Sequence, residues 1–183
     1  MIMIQTINCY SQSMEIDSIK VSKLTTIFFH WYMKNATKKK NGEIYPRFVK
    51  SENGMTTLEY RKYFKNLKKY SFSDSLIEQE KLSYKVCIDN LAKVKYSDFL
   101  QFDGLADFEE RDCDFTNYYR WIGGQEMFEG YTLTRIQFDN NQALVSGFLY
   151  DNKYECNDVK GLKKEIVVTL IRQENKWVIL KIR

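Results

Sequence analysis

The chain has 183 residues, 44% hydrophobic and 15% aromatic, with 28 Lys and Arg against 24 Asp and Glu for a net charge of +4. This length suits one domain that buries about two-thirds of its unfolded surface, and no apolar run reaches the roughly 20 residues of a membrane-spanning helix. A lone histidine, His30, excludes histidine-rich metal centres, and the wide cysteine spacing disfavours a structural zinc site.

Met1–Gln12 (MIMIQTINCYSQ) is apolar and then small and polar, like the end of a secretory signal peptide, with Ser11 before the cut and Gln12 starting the mature chain. It lacks a basic n-region, and Asn8 before Cys9 disfavours a lipid anchor there. The organisation expected is residues 1–12 as a truncated signal peptide and 16–183 as a single domain, placed in the periplasm or secreted; the alternative is a cytoplasmic protein. Export would leave Cys87, Cys113 and Cys156. A Cys87–Cys113 bridge is then expected, closing 26 positions and stabilising by about 3–4 kcal/mol on the chain-entropy account. In a reducing cytosol all three would stay thiols.

The first helix is predicted from Ser18 to about Asn35. Val21, Leu24, Phe28, Trp31 and Tyr32 recur at three- and four-residue steps on one face. Lys38–Gly42 supplies the cationic and glycine stop. Ile44–Val49 reads as extended, with Pro46 turning Tyr45 away from helix. Thr56-Thr57-Leu58-Glu59 has capping-box spacing, so a second helix is expected from Thr57 to Lys69. Ser73 should cap a third helix running to about Val94.

Charge is uneven. Lys20–Lys95 carries 17 Lys and Arg against 7 Asp and Glu, and Tyr96–Gly130 carries 2 against 9. A nucleic-acid site needs basic and aromatic residues on one face; Arg61–Lys69 offers this only in part, so no nucleic-acid partner is expected. Lys95–Gly130 has no clean period and is long for a structureless connector, a length often tied to function. Its acids Asp103, Asp107, Glu109, Glu110, Asp112 and Asp114 lack the spacing of a calcium loop and single out no catalytic pair. No metal and no cofactor is expected.

Asn117–Glu126 (NYYRWIGGQE) groups aromatic planes, a guanidinium and a glycine pair. Two readings stay open. One is a ligand-binding rim of Tyr118, Tyr119, Arg120 and Trp121 with Trp31, and Glu126 as a polar contact. The other is an aromatic plug over the end of a sheet. His30 sits within Phe28–Tyr32 and reads as a packed or rim residue rather than a base.

The last stretch reads as two β-hairpins. Tyr131–Phe138 and Gln142–Tyr150 flank Asp139-Asn140-Asn141, and Lys164–Arg172 and Lys176–Ile182 flank Gln173-Glu174-Asn175. The third strand is apolar on both faces, so it should be central and covered on both sides. Gly147 hints at a bulge or bend. The fold class expected is α+β, with N-terminal helices on a curved C-terminal antiparallel sheet.

Together, the Phe28–Tyr32 aromatic helix, the loop from Cys113-Asp114-Phe115 to Trp121, and the hairpin ending in Trp177-Val178-Ile179 resemble the small exported bacterial proteins of unknown function within the nuclear-transport-factor-2-like (cone) superfamily. The resemblance implies a curved sheet cupped around an N-terminal helix, with a cavity between them. It covers both enzymes, such as ketosteroid isomerases, and pure binding modules. The isomerase pattern of aspartate base and tyrosine donor maps onto no definite position here. A non-enzymatic envelope or secreted binding module for a small ligand or protein partner is the function expected. The alternatives are an immunity or inhibitor protein, whose acidic loop would cap a basic toxin site, and a small-molecule enzyme of the cone fold.

Overall fold

A computed structural model describes residues 3–38, 42–126, 128–151 and 163–183. In chain order the elements are α1 (Met3–Thr37), β1 (Arg47–Lys50), β2 (Thr56–Glu59), α2 (Arg61–Lys69), α3 (Asp74–Ser83), α4 (Lys85–Leu91), α5 (Tyr96–Phe99), α6 (Leu105–Glu109), a 3-10 turn over Asp114–Asn117, β3 (Gly130–Asp139), β4 (Gln142–Tyr150), β5 (Lys163–Gln173) and β6 (Lys176–Ile182). The protein is α+β: an N-terminal helix, a run of small helices and a C-terminal antiparallel sheet. It divides into two compact units, one made of Met1–Trp31 with Phe128–Arg183 and the other of Tyr32–Met127.

In the first unit the sheet runs in the order β3-β4-β5-β6, every pair antiparallel. The hairpin turns use the left-handed backbone: Asn140 has φ 51°, and Glu174 and Asn175 have φ 46° and 63°. Asparagine adopts this region at little cost, and two consecutive positive φ values match the twist of the flanking strands. One face of the sheet is buried by Tyr131, Val145, Leu149, Ile166, Val168, Leu170, Trp177 and Ile179. α1 packs here, with the Phe29 and Tyr131 rings 4.6 Å apart and Asp17 Oδ2 3.1 Å from Arg172 Nη1. The opposite face is not sealed. Val167, Thr169 and Ile171 are half-buried and Phe148 is 37% exposed. β5 is therefore central in the sheet but fully buried on one side, not both; the apolar residues of its second face report strand propensity as much as burial.

α1 runs further toward the N-terminus than its periodicity suggests. Met3–Asp17 contains no glycine or proline, so nothing stops the helix before Ser18. Residues 3–12 of the candidate signal segment are helical. Cys156 lies outside the described residues, as do the side chains before Met14.

In the second unit β1 and β2 form a small ladder pairing Arg47 with Glu59 and Lys50 with Thr56. The expected capping box is thus a strand. Thr56 Oγ1 donates to the Val94 carbonyl rather than capping a helix. α2 begins at Arg61, four residues beyond the expected Thr57, where Glu59 Oε1 accepts from the Arg61 amide at 2.7 Å. The β-branched pair Thr56-Thr57 favours strand once Arg47–Lys50 is there to pair with it. The expected third helix is also broken. Ser73 caps α3 through the Leu76 amide, but Tyr84 departs from helical geometry at φ −90°, ψ 0°. Ser83 Oγ donates to the Glu80 carbonyl at 2.7 Å, a local bond that competes with the helix ladder.

Gly147 is opposite a bulge rather than in one. The β3–β4 register shifts between Leu133 and Arg135, with Leu133 facing Gly147. A Cβ at Gly147 would stand 2.5 Å from Tyr131 Cε2 and 2.7 Å from the Thr132 carbonyl oxygen. The backbone oxygen cannot swing aside. Gly147→Ala is therefore expected to lower stability by about 1–3 kcal/mol, the usual cost of overpacking, read as a fall in the urea midpoint with unchanged slope. An unchanged midpoint would show that β3 yields at this point.

Candidate functional site

The buried face of α3 and its continuation is Leu76, Ile77, Glu80, Tyr84, Cys87 and Leu91. A carboxylate thus sits at helical spacing among apolar side chains, and Glu80 is 0% exposed. A buried charge is tolerated only when paired and hydrogen-bonded. Here Oε1 accepts from Tyr63 Oη at 2.9 Å and from Tyr84 Oη at 2.5 Å, while Oε2 accepts from Arg120 Nε at 2.8 Å. Trp121 Nε1 donates to Tyr63 Oη at 3.0 Å. The phenol of Tyr63 is therefore acceptor and donor at once, relaying the indole to the carboxylate.

These contacts set the charge states. Burial, and then the neighbouring Tyr84 and Glu80, hold the Tyr63 phenol well above its ordinary range; burial and then Glu80 do the same for Tyr84. Burial is the main cause that lifts Tyr32. Burial alone pushes Tyr60 up to about 12. Burial pulls the Arg120 guanidinium down, but the attraction and hydrogen bond of Glu80 outweigh it and the net shift is upward. With three donors on its oxygens the carboxylate is committed to protein groups. The arrangement is a lock, not a free acid or base.

The lock fixes a tight turn. The Tyr119 amide donates to the Gly124 carbonyl at 2.7 Å, and Gly123 has φ 63°, a conformation that favours glycine. Ile122 is fully buried and Trp121 meets Phe72 edge-on at 4.8 Å. Beside this turn is a cleft of about 350 Å³ lined by Ala36, Ile44, Tyr45, Thr116, Asn117, Tyr119 and Gln125. Burial, then the neighbouring Tyr119, raises the Tyr45 phenol.

The wall of the cleft is held from both ends. Upstream, Cys113 is joined to Cys87 by a disulfide with Cα atoms 4.9 Å apart. Downstream, Arg120 is on Glu80. Between them Phe115 stacks on Phe48 at 5.4 Å and meets Tyr84 edge-on at 4.9 Å. The chain from Asp114 to Tyr119 thus has a covalent anchor, a ring cluster and an ion pair within a few residues.

The structure brings only part of the sequence-predicted rim together. Tyr119 lines the cleft. Arg120 reaches inward to Glu80 with half of its side chain still exposed. Trp121 is 4% exposed and turned to the interior of its own unit, against Tyr63 and Phe72. Tyr118 is 44% exposed and Glu126 is exposed. Trp31 belongs to the other unit, where it lies 6.0 Å from Phe28. His30 is exposed. Glu80, Tyr63 and Tyr84 carry no motif, but a carboxylate on the apolar stripe of α3 is a readable signal. The acidic run is largely solvated, apart from Asp107, which accepts from the Asp103 and Gly104 amides. Among the described residues no group of His, Cys, Asp and Glu has the makings of a metal site. The basic side of α2 is partly neutralised, with Lys62 on Glu43 and Lys68 on Asp74.

The chain matches no protein-family model, no curated protein and no solved structure.

Trp121→Ala removes a buried indole and a donor to Tyr63, and should cost about 3–5 kcal/mol; an unchanged melting temperature would place the ring in solvent. The tyrosines give a pH signature. Their folded values lie above the unfolded value of about 10, so the stability they confer is complete below pH ~10 and is lost as pH rises beyond it. Each contributes a slope of about 1.4 kcal/mol per pH unit there. In an alkaline titration followed by absorbance, the signal of Tyr32, Tyr63 and Tyr84 should appear only with unfolding. Reversible titration of all 13 tyrosines near pH 10 in the folded protein would contradict the lock.

Proposed function

We propose that this chain is a non-enzymatic binding module of the cell envelope or the secreted fraction, and that the cleft beside the Tyr119–Gly124 turn is its recognition site. The observation that carries this reading is the double clamp on Asp114–Tyr119 by the Cys87–Cys113 disulfide and the Glu80–Arg120 pair. A wall fixed before the ligand arrives loses little entropy on binding. The buried disulfide supports an oxidising compartment, in keeping with the signal-like start. The buried carboxylate tied to this wall, Glu80, is already bonded by Tyr63, Tyr84 and Arg120, which favours binding over acid–base catalysis.

We infer further that the sheet is curved in the manner of the nuclear-transport-factor-2-like cone. Support comes from the register shift at Leu133/Arg135 and a second at Thr169/Leu170, since bulges bend and twist the strands that carry them. A second reading is an immunity or inhibitor protein. The exposure of Asp103, Glu109, Glu110, Asp112 and Asp114 on a disulfide-anchored segment favours it; a salt-sensitive complex with a basic protein, lost when these acids are neutralised, is its signature.

The compartment is tested by thiol labelling of protein recovered from its native cells without reductant. Cys87 and Cys113 should resist alkylation until reduced and unfolded. Full alkylation of both in the freshly recovered, denatured protein would overturn the envelope assignment.

A further inference from the structure

None of the described residues lining the cleft carries a formal charge at neutral pH. Tyr45, Thr116, Asn117, Tyr119 and Gln125 offer hydroxyls and amides, and Ala36 and Ile44 supply apolar surface. Among these described residues an anionic ligand finds no cation, and a cationic one no carboxylate. Either would give up its hydration without compensation. The matching ligand is neutral, with an apolar face for an aromatic ring and an edge of hydroxyls for amide groups. The volume of about 350 Å³ lies near the lower end of the roughly 300–1,000 Å³ usual for small-molecule sites, which limits the ligand to one or two sugar-sized rings. An extended peptide is less suited. Strand addition needs an unpaired backbone edge, and the Tyr119 amide is already closed onto Gly124.

We propose that the cleft is a saccharide site, taking a neutral mono- or disaccharide unit against Tyr119 with its hydroxyls on Thr116, Asn117 and Gln125. The proposal rests on the binding-module reading and names its ligand class. The clamp gives it physical sense: weak, hydroxyl-rich ligands repay little ordering entropy, so their sites must be rigid beforehand.

The test uses the full chain labelled with ¹⁵N, with the side-chain amide signals of Asn117 and Gln125 assigned by single substitution. Cellobiose, maltose, trehalose and N,N′-diacetylchitobiose are titrated in turn. Glucose 6-phosphate, glutamate and trialanine are titrated as charged and peptide counterparts. At least one neutral disaccharide should shift both amide signals saturably, and Tyr119→Ala should weaken that binding by about tenfold or more at an unchanged melting temperature. Shifts from a charged or peptide probe alone would overturn the saccharide assignment and leave the binding module standing. No shift from any probe would overturn both.

Discussion

The second unit is built around a charge that has been taken out of water. Removing a carboxylate from solvent costs several kcal/mol even after relaxation, and Glu80 is fully buried. What offsets that cost is the convergence of two phenols and a guanidinium on its two oxygens. Each donor comes from a different place: Tyr63 from α2, Tyr84 from the break between α3 and α4, and Arg120 from the distant turn. One ionised group therefore ties together segments 40 positions apart in the chain. Tyr84 reaches the carboxylate from four residues on, at the point where the backbone leaves helical geometry. Such a network specifies one arrangement, because any other leaves the charge unpaired.

The long connection between α4 and β3 follows from the same constraint. Ordering a segment of this kind costs about 1–2 kcal/mol per residue in backbone entropy, and its short helices have too few turns to hold themselves. Three things hold it. The Cys87–Cys113 bridge ties it to α4. A chain of rings from Phe48 through Phe99, Phe108 and Phe115 gives it an aromatic interior. The Arg120–Glu80 pair closes its far end. A cleft wall made from such a segment is rigid by construction, although its sequence is acidic and aperiodic.

The first unit works by a different principle. Its sheet depends on hairpin turns, side-chain alternation and a single close approach of backbone to ring at Gly147. Its inner face is sealed with α1 through the Phe29–Tyr131 contact, while its outer face is only half covered. Bulges at one edge strand and at the other end of the sheet break the regular ladder, which also guards exposed edges against pairing with other chains.

The sequence by itself determined what local periodicity can express. The β4 and β6 bounds, the hairpin turns at Asn140 and Glu174-Asn175, the Ser73 cap and the aromatic face of α1 are all properties of neighbours along the chain, where the spacing of side chains reports the backbone directly. It also picked out Cys87 and Cys113, which the structure joins, and Tyr119 and Arg120 as residues of interest. Only the tertiary structure decided the rest. Thr56–Glu59 became a strand because Arg47–Lys50 pairs with it. Trp121 turned inward because Tyr63 accepts its indole proton. Glu80 shows in the sequence only as an acid on the apolar stripe of α3; its pairing with an arginine 40 residues away does not. Interactions between distant segments leave no period in the sequence, so the fold of the hairpins could be read from the chain while the lock and the cleft could not.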